Sequence, residues 1–185
     1  MVRVSRCSLG APVAFSWAGV PVMNVTTQVE AALQVFTDLV KTSDREWDPR
    51  HFAMTKSEFK FRLNQARKGK LKPLVQVAEI DRGRSEYIFE IKYDFNAIVR
   101  DLNGERAVQK ARTRLYISEP MSEPDSFVGL HMHDKPDLPG DNPEMNRLQN
   151  IEIDIAIRYF DLGSSSRWNL ENADLWGTAG AQMTI

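Results

Sequence analysis

Between residues 74 and 133 the apolar side chains recur at every second position, and this period constrains the fold more than any other feature of the chain. Tyr87, Phe89, Ile91 and Tyr93 alternate with Glu90 and Lys92, and Val128, Leu130 and Met132 alternate with Gly129, His131 and His133. Successive side chains of a strand point to opposite faces, so such a pattern buries one face and leaves the other polar. Strands are expected at 74–80, 85–93, 97–102, 106–117 and 127–133, the last with Val128, Leu130 and Met132 on its core side. Asn103-Gly104 is the strongest hairpin signal, because both residues tolerate the positive φ that a two-residue turn requires. Asp81-Arg82-Gly83-Arg84 supplies a second turn, and strands joined in order this way form an antiparallel meander.

Upstream the period is helical. Thr27 and Glu30 have capping-box spacing, and Val29, Leu33, Phe36 and Val40 then fall on one face, which gives a first helix over 27–41. Thr55 and Glu58 repeat the signature, Phe59, Leu63 and Ala66 form a stripe, and Gly69 ends a second, basic helix. Residues 143–162 admit two readings. Ile151, Ile153, Ile155, Ile157 and Tyr159 alternate as in a strand, whereas Pro143 and Gly163 frame a helix of ordinary length. Residues 1–25 place Arg3 and Arg6 before an apolar run broken by Gly10, Pro12, Gly19 and Pro21; a disordered leader is expected there rather than a signal peptide, with Met23 an alternative start. Residues 164–185, with Trp168 and Trp176, are expected to be a tail. The fold class is therefore α+β, one domain over 26–163 with N-terminal helices, an antiparallel meander and a C-terminal helix or strand.

Composition, 42% hydrophobic and 26% charged, suits a packed core. A lone cysteine, Cys7, can form neither an internal disulfide nor a thiolate cluster, and points to a reducing, cytoplasmic setting. The apolar stretches are too short and broken to span a bilayer, so no membrane partner is expected. A Gly-rich phosphate loop, a Walker motif and a nucleophile elbow are all missing, which sets aside the large nucleotide-dependent enzyme classes.

A net charge of −1 hides an asymmetry: residues 56–114 carry 15 Lys or Arg against 8 Asp or Glu, while residues 115–185 carry 4 against 12. The basic half could meet an anion. Lys110, Arg112 and Arg114 alternate with Ala111, Thr113 and Leu115, so the three cations leave one face of their strand, and Lys56, Lys60, Arg62, Arg67 and Lys68 crowd the second helix. Such residues either form a solvated face with cross-strand partners such as Glu90 or contact a phosphate backbone. The sharpest feature is Gly129-Leu130-His131-Met132-His133-Asp134-Lys135, in which the two imidazoles share a face and Lys135 adds fixed charge. Imidazoles move protons near neutral pH or ligate metals; here the third ligand is missing unless the fold returns Asp134, Asp137, Asp141, Glu152 or Asp154, so no metal is expected. Solvated strand histidines would show the same pattern.

Two helices, then Tyr87-Ile88-Phe89-Glu90-Ile91, Arg112-Thr113-Arg114-Leu115-Tyr116-Ile117 and the His131–Lys135 segment: this order resembles the RelE/HigB-like toxin superfamily, including its phage-derived branch, over about residues 73–161. The resemblance implies a helix at 148–160, where Ile153-Asp154-Ile155-Ala156-Ile157-Arg158 stands. It further implies a metal-independent endoribonuclease, or an inactive toxin-like relative, with no cofactor, RNA as substrate and an antitoxin-like protein as partner. On that reading Arg112 and Arg114 stabilise the phosphate, Tyr116, His131, His133 and Lys135 supply acid–base or charge roles, and Lys56, Lys60, Arg67, Lys68 and Lys110 hold RNA. Cleavage by cations and imidazoles requires both to reach one phosphodiester. A non-enzymatic protein-interaction module and a small metal-dependent hydrolase using His131 and His133 are the other expectations.

Overall fold

The computed structural model describes residues 3–19, 25–41, 45–80, 87–100, 103–135 and 143–164; the expected turn at 81–84 and the tail beyond 164 lie outside them. In chain order the elements are β1 (Ala14–Trp17), α1 (Val25–Val40), β2 (Arg45–Glu46), α2 (Pro49–Arg67), β3 (Val77–Glu79), β4 (Ile88–Arg100), β5 (Arg106–Ser118), β6 (Ser126–Lys135) and α3 (Pro143–Ser164), with a 3-10 turn at Arg6–Ser8. The fold is α+β. One six-stranded sheet runs in the order β1-β6-β5-β4-β2, and β3 pairs with the same outer edge of β4 that β2 uses.

The antiparallel β4-β5-β6 unit follows the alternation, and the hairpin forms at Asn103-Gly104. Arg100 pairs with Arg106, however, so the connection is residues 101–105 rather than a two-residue turn, with Gly104 at φ 82° and Asn103 not at positive φ. Strands expected separately at 85–93 and 97–102 are one strand, because Phe95 keeps the period from Tyr93 to Ala97 and Asp94-Phe95-Asn96 contains no Gly or Pro to break it. The sheet is mixed rather than purely antiparallel, since β1 runs parallel to β6 from Ala14↔Ser126 to Trp17↔Gly129.

That strand overturns the expectation of a disordered leader. Ser5 Oγ donates to the Glu119 carboxylate at 2.5 Å, and the Arg6 guanidinium donates to the carbonyls of Pro120, Glu123 and Ser126. Cys7 is fully buried, and Phe15 packs on Phe127 with ring centroids 5.0 Å apart. A Cβ on Gly129 would stand 2.6 Å from the Trp17 ring, so the close approach of β1 depends on that glycine. Four residues are too few for a period to be read, which is why the strand is invisible in the sequence.

Helix α1 buries Val29, Leu33, Phe36 and Val40, the stripe expected of it. Helix α2 begins at Pro49, well before Thr55: Asp48 accepts from the Arg50 and His51 amides at 2.9 and 3.1 Å, Pro49 occupies the first turn, and Thr55 is an interior, buried residue. Residues 143–164 are helical. Ile153 and Ala156 are buried three residues apart while Ile151 is 43% exposed, so the alternating isoleucines do not share an environment.

Both faces of the sheet are covered. On one, α1 and α2 pack over Phe89, Ile91, Tyr93, Phe95, Leu115 and Met132; on the other, α3 packs over Ile88, Tyr116, Val128 and Leu130. A bulge shifts the register of β6 against β5 between Tyr116 and Ile117. Val128 and Leu130 therefore fall under α3, and only Met132 joins the first core, against the expectation that all three share a side.

Candidate functional site

Three rows of side chains cross the α3 face of the sheet. Register pairs Glu90 with Tyr116 and Tyr116 with His131; Lys92 with Arg114 and Arg114 with His133; Asp94 with Arg112 and Arg112 with Lys135. All six residues proposed as catalytic lie in this grid, because each sits an even number of positions from the next along its strand. The His131 and His133 rings are near parallel at 6.4 Å, and Tyr116 stacks on His133 at 5.4 Å.

The grid is internally partnered. Tyr116 Oη lies 3.1 Å from His133 Nε2, and His131 Nε2 lies 2.6 Å from Glu152 of α3, one of the acids that the fold had to bring back. Lys135 Nζ donates to Gln149 Oε1 at 2.8 Å, and Gln149 Nε2 donates to Glu90 at 3.2 Å. Arg114 is buried, with Nη1 2.9 Å from Asp94 and Nε 3.3 Å from Glu90; the second contact is an ion pair without the alignment of a hydrogen bond. Lys110 reaches the other oxygen of Asp94 at 3.1 Å. Arg112 and Lys135 are half-buried.

Burial holds the His133 imidazole down at about 4, aided by the His131 and Arg114 charges and opposed by Glu152, so it is neutral near pH 7. Burial, with Glu90 and Glu152 nearby, pushes the Tyr116 phenol up, which keeps it protonated. The hydrogen bond from His131 lowers Glu152, and burial beside Arg114, Arg112 and Lys92 lowers Lys135. Such a face can hold protons and bind a helix; Arg114 is already paired with Glu90 and Asp94, and His131 with Glu152, within it.

The RNA-binding candidates divide. Lys110 adjoins the grid, but Lys56, Lys60, Arg67 and Lys68 stand on α2, which packs against the opposite face of the sheet. Lys60 pairs with Glu30 at 2.7 Å, Arg67 donates to Asn64 at 3.2 Å, Lys56 is half-buried and Lys68 is exposed at the helix end. The structure does not bring these cations together with His131. Gln149, Glu152, Glu90 and Asp94 complete the grid; the acids of β4 alternate with its apolar residues and could have been read as its counter-charges, whereas the α3 contacts depend on the tertiary fold. Among the described residues, no three His, Cys, Asp or Glu side chains converge as a metal site.

A second region lies at the outer edge of β4. Strand β3 covers that edge up to Ile91 and β2 resumes at Ile98, which leaves residues 93–97 without a strand partner on that side among the described residues. A groove of about 400 Å³ opens there, bounded by Met54, Thr55 and Glu58 of α2, by Asp94 and Asn96, and by Lys110. Comparisons with protein-family models, with curated proteins and with solved structures find no match to this chain.

Proposed function

We propose that this chain is a protein-interaction module rather than a ribonuclease. The observation that supports it most is the saturation of the grid: Arg114 is committed to two carboxylates, His133 to Tyr116, His131 to Glu152 and Lys135 to Gln149, with α3 laid over them. A nuclease of this kind needs cations and imidazoles that gain their partner when the phosphate arrives. His131 and Lys135 are also four residues apart on one strand, roughly 13 Å, with the buried Arg114–His133 row between them. Four of the exposed apolar side chains lie away from the grid, Met54 and Phe61 on α2 and Leu74 and Val75 in the turn before β3, each more than half exposed; others, such as Val108, Met121 and Leu162, are scattered over the surface.

A second reading keeps the RNA-cleaving activity that the family resemblance implies. The His131–Glu152 pair favours it, since a partly exposed imidazole oriented by a carboxylate is a competent general base. One experiment separates the two. Wild-type protein, His131→Ala and Arg114→Ala are incubated with labelled RNA in the presence of a chelator across pH 5–8, and each is induced in cells to score growth arrest. The module reading expects no cleavage by any of them. Cleavage by the wild type that His131→Ala abolishes would reverse the order of the readings.

A further inference from the structure

The stretch of β4 whose outer edge has no strand partner among the described residues has a shape that selects its occupant. The Lys92 amide donates outward to the Gln76 carbonyl at 2.8 Å, the Lys92 carbonyl accepts outward from Arg62 at 3.2 Å, and the Ile88 carbonyl accepts outward from Ile80. Backbone groups alternate sides along a strand, so the amides and carbonyls of Asp94 and Asn96 also face outward, into the groove beside α2. We infer that this notch between β2 and β3 is a docking site for a short, acidic, extended peptide that adds to the sheet as a strand. The inference rests on the reading of the chain as an interaction module and names the partner's chemistry.

Three observations fix that chemistry. Length comes first: five residues of strand span roughly 17 Å, with β3 at one end and β2 at the other. Edge-to-edge pairing with β4 of a second copy is disfavoured, because β2 and β3 flank the same edge in both copies; a linear segment fits between them. Charge is the second. Arg62 and Lys92 stand at one end of the notch, while at the other Arg100 and Arg106 share the single carboxylate of Glu46. Of the two carboxylates lining the groove, Asp94 is already paired with Lys110 and Arg114 and Glu58 holds the Tyr93 hydroxyl, so the rim keeps surplus positive charge. The third is apolar surface. Leu74, 64% exposed, is held at φ 61°, a left-handed conformation that costs a leucine about 1 kcal/mol, and its carbonyl accepts from Lys92 Nζ at the mouth of the notch. Met54, on the α2 side of the groove, offers an apolar contact to alternate side chains of an added strand, while main-chain hydrogen bonds supply the rest.

The test uses the full chain and two pools of acetylated peptides of about eight residues, one alternating Val or Ile with Asp or Glu, the other with Lys. Fluorescence anisotropy is expected to show binding of the acidic pool, at least roughly tenfold weaker binding of the Lys pool, and loss of binding when alternate peptide amides are N-methylated. Asn96→Pro removes an outward N–H that no ladder bond uses and should weaken binding by a similar factor with little change in melting temperature. Amide exchange gives a readout independent of that variant: Asp94 and Asn96 should exchange fast in the free chain and slowly with peptide, while Phe95 stays protected throughout. Equal binding of the two pools, no binding of the acidic pool, indifference to N-methylation, or protection of Asp94 and Asn96 in the free chain would each overturn the inference. None of these outcomes involves RNA, so cleavage by His131 would sink the interaction-module reading separately.

Discussion

The two faces of this sheet are held by different forces. Under α1 and α2 the contacts are aromatic and aliphatic: Phe36 stacks on Phe59 at 4.3 Å and meets Tyr93 and Phe95 edge-on. Under α3 a short apolar strip, Ile88, Tyr116, Leu130, Ile153 and Ala156, continues into the grid of imidazoles, carboxylates and cations. Hydrophobic burial is non-directional and indifferent to pH, whereas a polar network depends on each partner and on its protonation state. The strands present one face to each regime, so their two helix layers should come loose under different conditions.

The largest effect is expected from the apolar side. Phe36→Ala should cost about 4 kcal/mol through lost burial and an unfilled cavity, measured by urea denaturation, with the same loss at pH 7 and pH 5. On the polar side, Arg114→Leu should cost about 3 kcal/mol because it strands buried Glu90 without its cation, and adding Glu90→Gln should recover part of that; a loss under about 1 kcal/mol would mean that the grid contributes little.

Acid comes next. The His133 imidazole is lowered to about 4 from an ordinary value of 6.5, so as pH falls the unfolded chain takes up the proton first. Its contribution is complete above pH 6.5 and is lost through the window from 6.5 to 4, about 3 kcal/mol in all. Glu152, also lowered, loses its contribution in the same direction. Denaturation midpoints taken across that window should slope for the wild type and flatten for His133→Leu; equal slopes would show that the acid sensitivity lies elsewhere. The smallest effect is expected for Glu152→Gln, about 1 kcal/mol, visible as faster amide exchange in α3 with no change in the centre of β4.

Particular residues show how far the sequence could be read. Val29, Leu33, Phe36 and Val40 announced α1, and Lys110, Arg112 and Arg114 were correctly put on one face, because both inferences use only the repeat of a single element. The alternating isoleucines of α3 pointed to a strand, since a period carries no information about which surface waits for it; the helix expected there instead, framed by Pro143 and Gly163, is the one that forms. The start of α2 was legible in Asp48-Pro49 and was masked by the capping signature at Thr55. Nothing in the sequence marked Ser5, Arg6 and Phe15 as parts of the fold, because their partners Glu119, Pro120 and Phe127 lie more than a hundred residues away.

What the sequence determined alone was local: the helical and strand periods, the Asn103-Gly104 hairpin, and which residues of each strand share a side. Backbone geometry fixes these within a few residues. What the tertiary structure decided was every relation between elements: that a bulge turns Leu130 toward α3, that Glu152 comes back to His131, that the cations of α2 lie across the sheet from the grid, and that β2 and β3 stop short of each other on β4. Such relations depend on how separate surfaces meet, and no spacing within one segment encodes them.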